Sequence, residues 1–193
     1  LMVAIILAGL MAVSAYGNKS HFGVLRVEGV GFALLLPGLI VAILSGILGG
    51  LFARLLIYCL HTTSELWIHR IRRTSPIWFA GACGLLVASI GLSTEGATFG
   101  SGYAHTRAML ENTDDVSAFY VLLKIAVTWL TTWAGVPAGI FAPSLAIGAA
   151  LGNDLAMLSQ YPNAPTLIAL GMAGFLAAVT QAPLTAFIIV MEM

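Results

Sequence analysis

Apolar residues run along this chain in long blocks, broken by charge at only a few points. Residues 1–18, 29–53, 74–94, 125–153 and 155–191 contain no Asp, Glu, Lys or Arg. A helix needs about 20 mainly apolar residues to cross the hydrocarbon of a bilayer, and these blocks meet that requirement. The pattern predicts a first helix ending near Ala15, with Tyr16 as an interfacial aromatic anchor. A polar connection over residues 17–28 leads to a second apolar segment over 31–59. That segment is too long for an upright crossing, so it is expected to tilt or to continue into water beyond Arg54. A loop over 61–75 follows, then a third helix over 76–92 with Pro76 in its first turn.

The second half is less regular. Residues 93–115 are mixed in polarity and rich in glycine, with a short surface helix expected over 106–111. Asp114 or Asp115 is placed to cap a helix over 116–133. Beyond Trp133 the chain stays apolar, but Gly135, Pro137, Gly139 and Pro143 interrupt it. A short helix is expected over 143–151, stopped by Gly152, Asn153 and Asp154; another covers 166–180, and a further one opens at Pro183. Such short helices cannot each span a bilayer. Backbone breaks at membrane depth are tolerated only where they are buried in protein or line a cavity, and in transporters broken helices surround the transported ion. Gly46 and Gly50, Gly148 and Gly152, and Gly171 and Gly174 recur at the spacing of close helix contacts.

Composition supports the same solvent. The chain is 60% hydrophobic and 8% charged, against roughly 25% charged in soluble domains. An all-α integral membrane protein with tilted and broken helices is the expected class. The formal net charge is zero and no basic tract is present, which argues against a nucleic-acid partner. Cys59 and Cys83 stand in apolar surroundings and read as small buried hydrophobes, without the spacing of a metal site. Arg70, Arg72 and Arg73 against the single acid Glu65 put the 61–75 loop on the cytoplasmic side, and residues 17–28 outside. Leu1 opens in an apolar run without the basic flank of a signal peptide, and Met193 closes another, so the chain is expected to be a fragment truncated at both ends.

The chemistry concentrates in residues 135–144, Gly-Val-Pro-Ala-Gly-Ile-Phe-Ala-Pro-Ser. Pro143 suits a first helical turn, where an amide hydrogen has no intrahelical partner. The amides of Ile140, Phe141 and Ala142 are then available to a ligand, and Gly139 permits a sharp turn. The dipole of the following helix adds roughly half a unit of positive charge at this end. No Lys or Arg stands within ten residues in sequence on either side. An anion here would meet partial charges, a grip weak enough to release it. An ordinary helix cap without a ligand is the plain alternative.

Lys124, inside an apolar helix, is either functional or held by a carboxylate, by helix-end carbonyls or at an interface. Glu192 is expected to end its helix near water, and Glu95 and Asp154 to be loop or cap residues. Ser101 and His105 would form a hydrolase pair only if residues 101–105 were helical, which Gly102 disfavours; no enzyme is expected.

Residues 139–148, Gly-Ile-Phe-Ala-Pro-Ser-Leu-Ala-Ile-Gly, resemble the GxFxP segment of the CLC chloride channels and proton-coupled chloride transporters. Residues 98–103, Thr-Phe-Gly-Ser-Gly-Tyr, resemble the glycine-rich entry to a short helix in that family. Lys124 and Thr128 fall where the family often has a basic residue and a threonine. Residues 171–178, the break Gln181-Ala182-Pro183-Leu184-Thr185 and the stretch ending Glu192-Met193 resemble its later helices, so the likeness covers nearly the whole chain.

The resemblance implies an inverted-repeat fold, with residues 1–16 as the last helix of the first repeat and 29–193 as most of the second. It implies a homodimer with one pathway per subunit, residues 1–15 and 183–193 lying at the contact. The anion-binding residues would be Gly139, Ile140, Phe141, Ala142 and Pro143, with the amides of Ile140 and Phe141 on a central chloride and Ala142 at an outer site. The ligand would be chloride or another small anion, with no cofactor, carried by a channel or a chloride/proton antiporter in the bilayer. The family's filter serine and glutamates would lie upstream and its pore tyrosine downstream. A different transporter built on broken helices is the other expectation.

Overall fold

The computed structural model describes residues 2–17, 31–60, 67–111, 119–136, 139–159, 161 and 163–192, and every regular element among them is helical. The first is α1 (Met2–Tyr16), which packs against no other described helix. Of the polar connection expected over 17–28, only Gly17 is described. A 3₁₀ turn (Phe32–Leu34) runs directly into α2 (Leu35–Leu60). Together they form an apolar stretch of 28 residues, Phe32–Cys59, roughly 42 Å long at about 1.5 Å per residue. That exceeds a hydrocarbon core of about 30 Å, so the segment either tilts or runs on beyond the hydrocarbon.

Residues 61–75, expected to be a loop, contain a helix, α3 (Trp67–Thr74). Arg72 accounts for part of its placement: its Nη1 donates to the Cys59 carbonyl at 2.8 Å, serving an orphan acceptor at the end of α2. α4 (Pro76–Ser93) follows, with Pro76 in its first turn as expected. α5 (Tyr103–Leu110) begins three residues earlier than the sequence suggested, because Gly102 at φ 82° reverses the chain there. α6 (Tyr120–Trp133) packs on α4, with Phe79 edge-on to Trp133 at 5.6 Å and Trp129 stacked on Trp133 at 4.8 Å. The expected caps Asp114 and Asp115 lie outside the described residues.

α7 (Phe141–Ser159) is longer than expected. It passes straight through Gly152, Asn153 and Asp154, which were expected to stop it, and Asp154 is a half-buried mid-helix residue rather than a cap. The reason lies in α8 (Ala164–Thr180), which lies directly against it. A Cβ on Gly152 would stand 2.7 Å from Ile168 Cα, and one on Gly148 2.8 Å from Met172 Cα. Gly152 is a contact residue that lets two main chains approach. Glycine within a helix costs roughly 0.5–1 kcal/mol relative to alanine, and the close packing it permits offsets this. α9 (Pro183–Met191) completes the chain, and Glu192 is its exposed C-cap, as expected.

The core sits among α2, α7 and α8, where Phe52, Ile147, Ile168, Met172, Phe175 and Leu176 are buried. The small-residue pairs divide unevenly. Gly148, Gly152 and Gly171 face backbone, and Gly174 faces Ser45, but Gly46 and Gly50 meet nothing within 4 Å. Gly49 is the α2 contact instead, its added Cβ falling 2.7 Å from Ala178 Cβ. Among the described residues three helices are long and apolar enough to cross a membrane, Phe32–Cys59, Pro76–Ser93 and Phe141–Ser159. Among the described residues α8 and α9, with 17 and 9 residues, fall short of that length.

Gly152→Ala is expected to destabilise the protein by about 1–3 kcal/mol, the usual range for overpacking a filled contact. Gly46→Ala, whose added methyl meets open space, is expected to be neutral or slightly stabilising. Thermal unfolding of the intact protein in detergent measures both. Equal midpoints for the two variants would remove the close-contact role of Gly152.

Candidate functional site

The five residues singled out in the sequence come together at the start of α7. Ile140 is its cap: the Ser144 amide donates to the Ile140 carbonyl at 3.1 Å, and Ser144 Oγ donates to the same oxygen at 2.7 Å. The helix therefore begins at Phe141, and Pro143 stands third in it rather than first. The opening amides of a helix have no intrahelical acceptor, and Pro143 has none to offer. Among the described residues no acceptor lies against the amides of Ile140, Phe141 or Ala142. Pro137 and Ala138 lie outside the described residues.

Burial changes abruptly along this segment. Gly139 and Phe141 are exposed, Ile140, Ala142 and Pro143 are half-buried, and every residue from Ser144 to Asn153 is buried. The helix thus presents its N-terminal end to open space and buries its body. A cavity of about 980 Å³ lies on one side, lined by Arg54, Ile57, Ile140, Phe141, Thr180 and Gln181. A second, of about 470 Å³, is lined by Lys124, Thr128, Thr131, Gly139, Ile140 and Ala142. Ile140 borders both.

The larger cavity reaches the joint between α8 and α9. Gln181 turns the chain there with a left-handed φ of 56°, its Nε2 donating to the Ala178 carbonyl at 2.7 Å. Pro183 then opens α9. Helix starts containing proline are therefore present at α7 and α9, as the interrupted pattern implied, and also at α4 and α8.

The smaller cavity contains the feature that linear reasoning missed. No Lys or Arg is near residues 139–143 in sequence, yet Lys124 borders the same cavity, 1% exposed. Its Nζ donates to the carbonyls of Thr98 at 2.8 Å and Gly100 at 2.9 Å. The acceptors are backbone carbonyls, but not the helix-end carbonyls that the sequence suggested. Those carbonyls belong to the turn between α4 and α5, where Glu95, Gly96, Gly100 and Gly102 all have positive φ. Glu95 is an exposed turn residue, as expected. The only signal in the sequence was a lone charge in an apolar helix. Which carbonyls it would reach could not be read, because they lie 24 and 26 residues away.

Ser101 lies in the turn before the left-handed Gly102, outside the helix that carries His105, and its Oγ accepts the Tyr103 amide at 3.3 Å. The His105 ring packs on Tyr120, with centroids 5.8 Å apart. Cys59 and Cys83 are both buried free thiols.

Comparison with known proteins decides the family. The model of the voltage gated chloride channel family matches residues 1–193, the full length of the chain. This chain belongs to the voltage-gated chloride channel (CLC) family. Two curated relatives, each an H(+)/Cl(−) exchange transporter ClcA of Salmonella paratyphi A, are 32% identical over 165 residues. The aligned part is 80% of this chain and 34% of each relative, so the chain spans about a third of their length. A solved structure described as a CLC-type fluoride/proton antiporter superposes with a TM-score of 0.71 at 24% identity. That match takes in 93% of this chain and 48% of the other, and it establishes the all-helical CLC fold.

Within this CLC chain, Gly102 locks the turn that holds Lys124 against α7. At φ 82° it occupies a region that side chains rarely adopt, and a Cβ there would stand 2.6 Å from Ala146 Cβ and 3.1 Å from Tyr120 Oη. Gly102→Ala is expected to cost about 1–3 kcal/mol through strain and overpacking. Gly81→Ala, with nothing within 4 Å, is the neutral control. Thermal midpoints in detergent test this, and a Gly102→Ala midpoint equal to that of the parent protein would contradict it.

Proposed function

We propose that this chain forms one wall of a transmembrane pathway for chloride and other small anions. The observation that carries this reading is the start of α7, where three consecutive amides, on Ile140, Phe141 and Ala142, lack acceptors among the described residues and border two cavities. Unsatisfied donors at a helix N-terminus, with the dipole behind them, form an anion site. The donors are neutral, so an anion sheds part of its water without being trapped, and conduction needs such release.

Proton-coupled exchange is favoured over passive conduction, because the curated relatives are H(+)/Cl(−) exchangers. On this reading the protein is a homodimer. Leu184, Phe187 and Met191 on α9 and Leu7, Leu10 and Met11 on α1 are more than half exposed, and they would supply the apolar contact. The excess of arginine in α3 favours a cytoplasmic position for that helix.

Deleting one amide hydrogen tests the reading directly. Proline is tolerated at the first helical position, so Phe141→Pro removes that donor while the helix persists, and Phe141→Ala removes the same side chain but keeps the donor. In the intact protein Phe141→Pro is expected to weaken chloride binding by roughly 10- to 100-fold relative to Phe141→Ala, since hydrogen bonds to charged groups are worth about 1.5–3 kcal/mol. Titration calorimetry and chloride flux from liposomes measure the change. Equal affinity and flux in both variants would sink the proposal.

A further inference from the structure

We propose that the outer face of α3, carried by Arg70 and Arg73, is a docking surface for the headgroups of anionic phospholipids. This surface lies apart from residues 139–143 and does not depend on the anion pathway.

The place of α3 in the chain fixes its depth. It stands between two stretches long and apolar enough to cross a membrane, Phe32–Cys59 and Pro76–Ser93. Thr74 ends α3, and Ser75 alone separates it from Pro76, so its last turn sits at the end of the α4 span. A short basic helix in that position lies at the level of the lipid headgroups. Ile77 and Trp78, in the first turn of α4, are more than four-fifths exposed. Exposed tryptophan at the end of a span marks the membrane–water interface.

Residues 61–75 hold three arginines against one acid, Glu65, so positive charge remains however that acid is used. The three arginines have different surroundings. Arg72 is half-buried and turned inward, its Nη1 donating to the Cys59 carbonyl at 2.8 Å. That bond, with the packing of α3 on α4, sets which face of the short helix is outward. Arg70 and Arg73 are exposed, and among the described residues neither guanidinium has an ion pair; the recorded pair is Arg107–Glu111 on α5. They stand at i and i+3, on one face, where like charges repel. α3 packs on α4 and on no other described helix, so no described element covers that face. A phosphodiester meets both conditions. Its charge offsets the repulsion, and its oxygens accept the forked N–H groups of arginine. Basic residues beside a span attract anionic lipid within about a Debye length of the surface, and the headgroups lie at the depth where these two arginines stand.

The test uses the intact protein in detergent with phosphatidylglycerol, phosphatidylcholine and inorganic phosphate as probes. Native mass spectrometry reads retained lipid, and thermal unfolding reads the midpoint. The parent is expected to retain phosphatidylglycerol in preference to phosphatidylcholine. In the double variant Arg70→Gln, Arg73→Gln that affinity is expected to fall roughly tenfold to thirtyfold, the scale for two basic residues at a membrane surface. Arg107→Gln removes an exposed arginine already paired with Glu111 and is expected to leave it unchanged. Raised ionic strength gives a measure that needs no variant: retention by the parent is expected to fall. Equal retention in the parent and the double variant, or retention indifferent to salt, overturns the proposal. Inorganic phosphate that raises the parent's midpoint as much as phosphatidylglycerol does makes the face a free-anion site and also overturns it. A double variant that changes oligomeric state while keeping its lipid assigns the face to a second copy of the chain, with the same consequence. Chloride affinity is expected to be equal in all variants, so the pathway reading stands or falls separately.

Discussion

α7 and α8 meet main chain against main chain, and that contact places the rest of the molecule. Gly148 and Gly152 on one helix and Gly171 on the other leave no room for a Cβ. Dispersion and shape matching drive helix association in a bilayer, because the lipid is as apolar as the side chains. Removing the Cβ atoms at the crossing brings the two backbones together, and α2 then closes over the pair through Phe52, Phe175 and Gly49. Residues 144–153 of α7 are buried by this packing together with α5 and α6, and its N-terminal end is left at the boundary between two cavities.

Chemistry follows from that placement. A helix start inside a membrane protein leaves donors that lipid cannot satisfy, so they must face protein, water or an ion. Pro143 and the Ser144 hydroxyl make this end self-contained: one amide hydrogen is absent and the cap carbonyl is doubly bonded. The amides of Phe141 and Ala142 belong to α7 and that of Ile140 to its cap, so a rigid helix fixes their directions.

The α4–α5 turn joins the two features. Its left-handed residues aim the Thr98 and Gly100 carbonyls at Lys124, and Gly102 presses the same turn onto Ala146 of α7. The ammonium, the turn and the start of α7 form one connected unit. The strained backbone of the turn persists because neighbours on both sides hold it.

Sequence alone was sufficient for whatever depends on chain order and solvent. The long uncharged blocks require a bilayer, and Gly139, Pro143 and Pro183 mark helix starts by local backbone chemistry that acts whatever surrounds them. For the same reason the backbone break over residues 139–143 could be located before any fold was known. Tertiary structure decided the features that depend on a neighbour. Gly152 looks the same in sequence whether it ends a helix or admits another backbone, and only the presence of α8 shows which. The charge beside the site was likewise hidden, since Lys124 precedes Gly139 by more than ten residues in the chain and shares a cavity wall with it in space. Electrostatic fields fall with distance through space, and the distance along a folded chain does not measure that.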